Sequence, residues 1–129
     1  MKDVFKPGDH KDHRYVVRPE DVAAFRGEMV HPVCATFALA REIEWATRQF
    51  VLEMREADEE GVGTFISIDH KNPAFVGEEI IFTARIETLA GHEIICSYVA
   101  RVDERQIAEG RTGQKVLKKE KIARIFRQA

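Results

Sequence analysis

The sequence predicts an α+β domain in which one long helix is followed by an antiparallel meander of four strands that covers it. Three observations carry this expectation. Residues 34–56 are rich in helix formers, and apolar side chains recur at Leu39, Ile43, Ala46, Phe50 and Met54, close to the helical repeat. Residues 64–117 hold four segments with apolar residues at alternate positions. Turn signals at Ala90-Gly91-His92 and Asp103-Glu104 join the last three segments, and strands joined so tightly must run antiparallel.

The first dozen residues are polar and contain a Pro7-Gly8 turn signal. Asp9, His10, Asp12 and His13 lie close together there, but nothing downstream completes a ligand set, so no metal site is expected. Tyr15-Val16-Val17 reads as a short strand. Pro19-Glu20-Asp21 suits a helical first turn, with Pro pre-set in φ and acids favoured by the helix dipole, so Val22–Phe25 reads as a short helical turn ending at Gly27.

The long helix closes through a polar run that stops at Gly61. Phe37, Trp45 and Val51 fall off its main stripe, so it needs cover on more than one side. In the first strand, residues 64–70, Ile66, Ile68 and His70 share one face. Residues 79–87 put Ile80, Phe82, Ala84 and Ile86 on one face, and residues 93–102 do so with Ile94, Cys96, Tyr98 and Ala100. In the last strand, 106–117, Gly110 and Gly113 mark bulges or a close approach to a ligand. Ile81, Ile95 and Val99 lie on the opposite sheet face. A single helix cannot cover both faces, which implies a homodimer or tetramer.

A chain of 129 residues makes one domain with a real core, residues 1–129. Its 44% hydrophobic residues and eight Phe argue against disorder. With 20 Lys+Arg against 22 Asp+Glu and no basic aromatic face, no nucleic-acid partner is expected. Two cysteines are too few for a disulfide scaffold, and they read as buried small hydrophobes. No apolar run approaches a membrane span and the start is not a secretory signal, so a cytoplasmic protein with no membrane partner is expected.

Three residues are candidates for chemistry. Thr36 sits where the long helix begins, Glu44 lies eight residues on, and His70 ends a strand. Within one helix Thr36 and Glu44 would be ~12 Å apart along the axis and ~80° apart around it, too far to touch but able to flank one extended ligand. Thr36 equally suits a helix N-cap. Glu44 equally suits an ordinary exposed position, although Ile43, Trp45 and Ala46 beside it would desolvate its carboxylate and fit it to act as base or nucleophile. Glu42 on the same helix is expected to face solvent. A His on an apolar face is often a satisfied core residue, and imidazole is also a natural acid or base near neutrality.

The run Pro32-Val33-Cys34-Ala35-Thr36, then Glu44, then Gly63-Thr64-Phe65-Ile66-Ser67-Ile68-Asp69-His70, then Gly77, resembles the hotdog-fold acyl-CoA thioesterases, in particular the branch that includes the fluoroacetyl-CoA thioesterase. In that branch a Thr at the head of the central helix, a Glu eight residues on and a His a further 26 on form the catalytic set. Thr36, Glu44 and His70 keep both spacings. The resemblance covers most of residues 4–126 and implies a hotdog fold, an antiparallel sheet wrapped around one long central helix, that dimerises. It implies substrate contacts at Gly63, at Gly77 and at Phe37, where relatives often carry Pro. Gly113 and Gln114 stand where relatives often carry His and Arg.

The activity so implied is hydrolysis of an acyl-CoA to free acid and CoA, and the aromatic residues near the pocket favour a short or branched acyl group. It needs no metal and no cofactor other than the CoA of the substrate. Glu44 would attack the carbonyl or activate water, Thr36 would orient the acyl group or carboxylate, and His70 would exchange protons. Backbone N–H groups at the helix start suit the oxyanion. Phe5, Phe25, Phe37, Trp45 and Phe75 would narrow the pocket. Arg101, Arg105, Arg111, Lys115, Lys118, Lys119 and Lys121 would hold the phosphates, unless the segment from Lys118 to Arg127 is a solvated tail. The alternative is a non-catalytic acyl-CoA or small-ligand binding module on the same fold. A hydratase is disfavoured, because no Asp-x-x-x-x-His arrangement of the kind hotdog hydratases use occurs.

Overall fold

The computed structural model describes residues 1–128. Strand β1 (His10–Val16) leads into a 3-10 turn (Pro19–Asp21), then a hairpin of β2 (Val22–Phe25) and β3 (Glu28–Cys34). Helix α1 (Thr36–Met54) follows. After it come β4 (Glu59–Ile66), β5 (Asp69–His70), β6 (Glu79–Ala90), β7 (Glu93–Val102), β8 (Arg105–Lys118) and a second helix, α2 (Lys119–Gln128). The main sheet is antiparallel, in the order β1-β6-β7-β8-β4, and β5 also pairs with β8. β2 and β3 form a separate two-stranded sheet, and Val33 of β3 makes an isolated antiparallel bridge to Phe75.

The sheet curls around α1. The helical stripe of Leu39, Ile43, Ala46, Phe50 and Met54 is at most 2% exposed. So are its partners on the concave face, Ile80, Phe82, Ala84 and Ile86 of β6 with Ile94, Cys96, Tyr98 and Ala100 of β7. Each large side chain so buried stabilises the fold by about 1.5–3 kcal/mol relative to exposure. The strand alternation in the sequence therefore translates directly into an inner and an outer face.

Several elements differ from the sequence reading. Val22–Phe25 is a strand rather than a helical turn. The chain reverses at Arg26 (φ 54°) and Gly27 (φ 82°) and returns as β3. The 3-10 turn before it does carry the expected Pro19 and first-turn acids. The strand expected at Tyr15-Val16-Val17 begins earlier, since His10–Val16 pairs with Glu79–Arg85 along the sheet edge. The segment read as a solvated tail forms helix α2, whose described residues are nearly all exposed.

The apolar residues of the outer sheet face are unequally covered. Ile95 is buried and Ile81 half-buried. Val99 is exposed there as expected, and further large exposed apolar groups lie on the hairpin (Phe25, Met29, Val30), on α1 (Phe37, Trp45), on β4 (Phe65) and on α2 (Ile125, Phe126). The two glycines of β8 serve neighbouring backbone and ring. A Cβ on Gly110 would stand 2.1 Å from the Ser67 carbonyl oxygen, and one on Gly113 would stand 2.3 Å from the Phe65 ring.

Candidate active site

Thr36 and His70 come together. Thr36 is the first residue of α1, and its hydroxyl lies 2.9 Å from His70 Nδ1. Two local devices bring the pair into reach. The Ala35 N–H donates to the Asp21 carbonyl and the Cys34 N–H to the Ala74 carbonyl, both at 2.8 Å, which fixes the helix entry. β5 pairs with β8, His70 opposite Ala108, and the Lys71 N–H donates to the Ile107 carbonyl at 2.8 Å, which fixes the imidazole's backbone. Ala35 occupies the cap position, no side chain caps α1, and its first turn carries no acid. The helix end that carries the Thr36–His70 pair therefore has no side-chain cap for its first-turn N–H groups and no acid against its positive dipole.

Glu44 lies elsewhere in the single chain. It is exposed, not desolvated, and opens onto a cleft of about 780 Å³ between α1, β4 and β8. Neither Thr36 nor His70 lines this cleft. Trp45 and Phe65 stand beside Glu44, and Thr47, Thr112 and Gln114 lie deeper. The two arginines of the cleft are already engaged, Arg41 with Asp21 and Glu42, and Arg48 with Glu60 at 3.0 Å. The Glu44 carboxylate pairs with neither.

The expectation for Glu42 is overturned. It is 9% exposed and faces β1, with His13 Nε2 at 3.0 Å and Arg41 Nε donating at 2.7 Å. The network continues through Arg41 to Tyr15 (3.1 Å) and to the buried Asp21 (3.0 Å), which also accepts from the Tyr15 hydroxyl and the Arg18 N–H. Burial pushes the Asp21 carboxyl upward. The hydrogen bonds from Tyr15, Arg18 and Arg41 outweigh that and hold it below the usual carboxylate range. Asp21 thus ties β1, the 3-10 turn and the start of α1 together. Sequence spacing alone did not single it out, since a first-turn acid next to Pro19 reads as an ordinary dipole partner.

Gly63 lines the cleft, and a methyl group added there would meet open space. Gly77 has a φ of +90° and sits in the turn before β6, its N–H donating to the Val17 carbonyl at 2.8 Å. Phe37 is 59% exposed on the first turn of α1, outside the cleft. Of the five aromatic residues expected to narrow a pocket, Trp45 lines the cleft, whereas Phe5 packs edge-on against Phe50. Among the basic residues considered for phosphates, Arg105 is held by Glu78 and Lys118 by Asp58, while Arg101, Arg111 and Lys115 are exposed. Among the described residues no group of three or more His, Cys, Asp or Glu is placed to hold a metal, and no helix is long and apolar enough to cross a membrane.

Comparison with known proteins meets this geometry at the level of the whole chain. The structure superposes on a hypothetical protein of Thermus thermophilus, a thioesterase superfamily member, with a TM-score of 0.90 and 31% identity, covering 95% of this chain and 91% of that one. The fluoroacetyl-CoA thioesterase FlK superposes with a TM-score of 0.88 at 23% identity, covering 98% of each chain. A hot-dog-like protein from Thermanaerovibrio acidaminovorans gives 0.87 at 17% identity, covering 96% of this chain and 93% of that one. No curated protein matches the sequence. The fold is therefore the hotdog fold, and the family model for the fluoroacetyl-CoA-specific thioesterase FlK matches residues 17–120. The chain belongs to the FlK family and is an acyl-CoA thioesterase, a thioester hydrolase.

Proposed function

We propose that the chain hydrolyses a short acyl-CoA with Glu44, His70 and Thr36, in an active site completed by a second copy of itself. The observation that carries this is the split of the three residues. Thr36 and His70 meet at 2.9 Å, while Glu44 opens alone onto a separate cleft of the same chain. A homodimer that sets the Glu44 cleft of one protomer against the Thr36–His70 pair of the other joins them. Two features support such a partner. The edge strand β4 has one side unpaired in the sheet order, and the exposed Phe37, Trp45 and Phe65 surround the two half-sites.

In this reading the thioester carbonyl sits at the head of α1. Its developing negative charge is met by the first-turn N–H groups, where α1 lacks both a side-chain cap and an acid. The Glu44 carboxylate attacks the carbonyl carbon to give a mixed anhydride that water then opens, or it takes a proton from the attacking water. In both routes the C–S bond breaks and the CoA thiolate leaves with a proton. His70, oriented by the Thr36 hydroxyl, supplies that proton. The chemistry needs no metal or further cofactor. Gly63, at the open wall of the cleft, lets the acyl chain run close to backbone. Exposed Arg111 and Lys115 offer charge to the CoA phosphates. Two free, buried cysteines fit a cytoplasmic setting.

The test is thiol release from a panel of acyl-CoAs by the wild type and Glu44→Ala. Turnover of short esters that falls about a hundredfold or more in the variant, a loss of about 2.7 kcal/mol of transition-state stabilisation, is the expected result. Binding of CoA esters without turnover in either protein would refute it.

A further inference from the structure

The deep end of the Glu44 cleft is polar in an unusual way. Thr112 is 2% exposed, lines the cleft, and its hydroxyl oxygen has no hydrogen-bond partner among the described residues. Its polar neighbour across the β7–β8 ladder is the Cys96 sulfur, a weak acceptor toward which the hydroxyl can donate, which leaves the oxygen's own lone pairs unused. Gln114, next on the same face of β8, is also buried and makes one long bond, from Nε2 to the Thr47 hydroxyl at 3.4 Å. Thr47 in turn turns back to the helix, donating toward the Ile43 and Glu44 carbonyls. A hydroxyl and a carboxamide with unused hydrogen-bonding capacity are costly to bury and are ordinarily satisfied. Here they end a cleft that opens to a ligand.

The charge around them narrows the chemistry. Arg41 and Arg48 are neutralised by Asp21, Glu42 and Glu60, so among the described residues the cleft offers no free cation to a second carboxylate. Glu44 at the same cleft would repel one. A fatty chain would leave the Thr112 hydroxyl and the Gln114 amide unpaired. What matches two neutral, two-way hydrogen-bonding groups is a substituent that is itself neutral and both donates and accepts.

We propose that Thr112 and Gln114 form an acyl-recognition subsite that selects short acyl-CoAs bearing a hydroxyl group on the acyl chain over their unsubstituted counterparts. This rests on the thioesterase reading of the cleft and adds the class of acyl group to it. The Thr112 hydroxyl and the free capacity of Gln114 would complete the substrate hydroxyl. A site built to hydrogen-bond a hydroxyl discriminates against the analogue that lacks it, because the site's own groups are then stranded.

The protein holds a single tryptophan, Trp45, and it lines the cleft, so its fluorescence reports occupancy without any turnover. The probes are two inert thioethers, S-butyl-CoA and S-(3-hydroxybutyl)-CoA. The hydroxylated analogue is expected to bind the wild type about tenfold more tightly, and this gap is expected to collapse in Thr112→Val and in Gln114→Leu while Thr112→Ser keeps it. Equal affinities in the wild type, tighter binding of the plain chain, or no binding of either analogue overturns the proposal. So does a gap that survives in a folded Thr112→Val. Thiol release from butyryl-CoA and 3-hydroxybutyryl-CoA is measured alongside. A hydroxyl preference in binding with no hydrolysis of either ester would sink the hydrolytic reading and leave the subsite standing.

Discussion

The Thr36 hydroxyl and His70 Nδ1 meet at 2.9 Å across 34 positions of sequence, the one directly bonded pair among the three residues whose spacing suggested chemistry. The bond takes Thr36 away from the commonest duty of a threonine at a helix start. Ala35 holds the cap position, and the hydroxyl reaches the imidazole of a neighbouring strand instead of the helix backbone. Thr36→Val should therefore change stability little, within about 0.5 kcal/mol. It should lower kcat/KM by about tenfold or more, while Thr36→Ser retains activity. Thermal melts beside thiol-release kinetics separate the two effects.

Gly110 has its place in β8 because the chain after β4 crosses it closely. The neighbour of an added Cβ is the Ser67 carbonyl oxygen at 2.1 Å, backbone that cannot swing aside. Ser67 is itself held, its N–H on the Arg111 carbonyl and its carbonyl accepting from the Tyr98 hydroxyl at 2.7 Å. Gly110→Ala should cost about 1–3 kcal/mol, read from a denaturant midpoint. Gly63→Ala meets open space and should cost much less.

The Asp21 carboxyl is held below its ordinary range in the folded chain by Tyr15, Arg18 and Arg41 against the opposing effect of burial. A depressed folded pKa gives stability that is complete above the unfolded value, about 3.9, and is lost as pH falls through the folded value. Asp21→Asn should be less stable than wild type near neutral pH by about 2 kcal/mol, since it loses charged hydrogen bonds. The gap should hold down to about pH 5 and close progressively below about pH 4. Denaturant melts across that range decide it; a gap independent of pH would contradict the network.

Burial pushes the Cys34 thiol up to about 11 and the Cys96 thiol up to about 12. Neither should react with a disulfide reagent near pH 8 in the folded protein, and both should react after unfolding. Rapid modification of one thiol in the native state would show that its core opens.

The parts of the fold legible in sequence are those where one face of a regular element is buried. Ile80, Phe82, Ala84 and Ile86 alternate because β6 lies between α1 and solvent, and the alternation survives any detail of the loops. β2 was not legible. Val22-Ala23-Ala24-Phe25 has no alternation, and the Pro and acids before it signal a helical turn, which forms but stops at Asp21. Glu42 and Glu44 show the limit within the helix. Two residues apart on one helix, they look alike until His13 arrives from β1 and, with the adjacent Arg41, holds Glu42 inward. Thr36 and His70 were singled out by spacing within a family pattern. Periodicity carries no information about a contact between a helix start and a strand so distant in sequence. Gln114 stood out only as a departure from the family's pattern, and its pairing with Thr112 was not legible, since inward-facing polar residues on a strand read as a weak stretch of core.

The most direct test of the central claim, that Glu44 of one chain works with Thr36 and His70 of another, is complementation. Glu44→Ala and His70→Ala are refolded separately and together, and thiol release from a short acyl-CoA is followed. Each variant alone should lose about a hundredfold or more. Random pairing makes half of the dimers mixed, and each mixed dimer rebuilds one of its two sites from intact residues, so the mixture should recover about a quarter of wild-type activity. A mixture no more active than its components would place Glu44 and His70 in the same chain's site, and full activity in either variant alone would remove that residue from the chemistry.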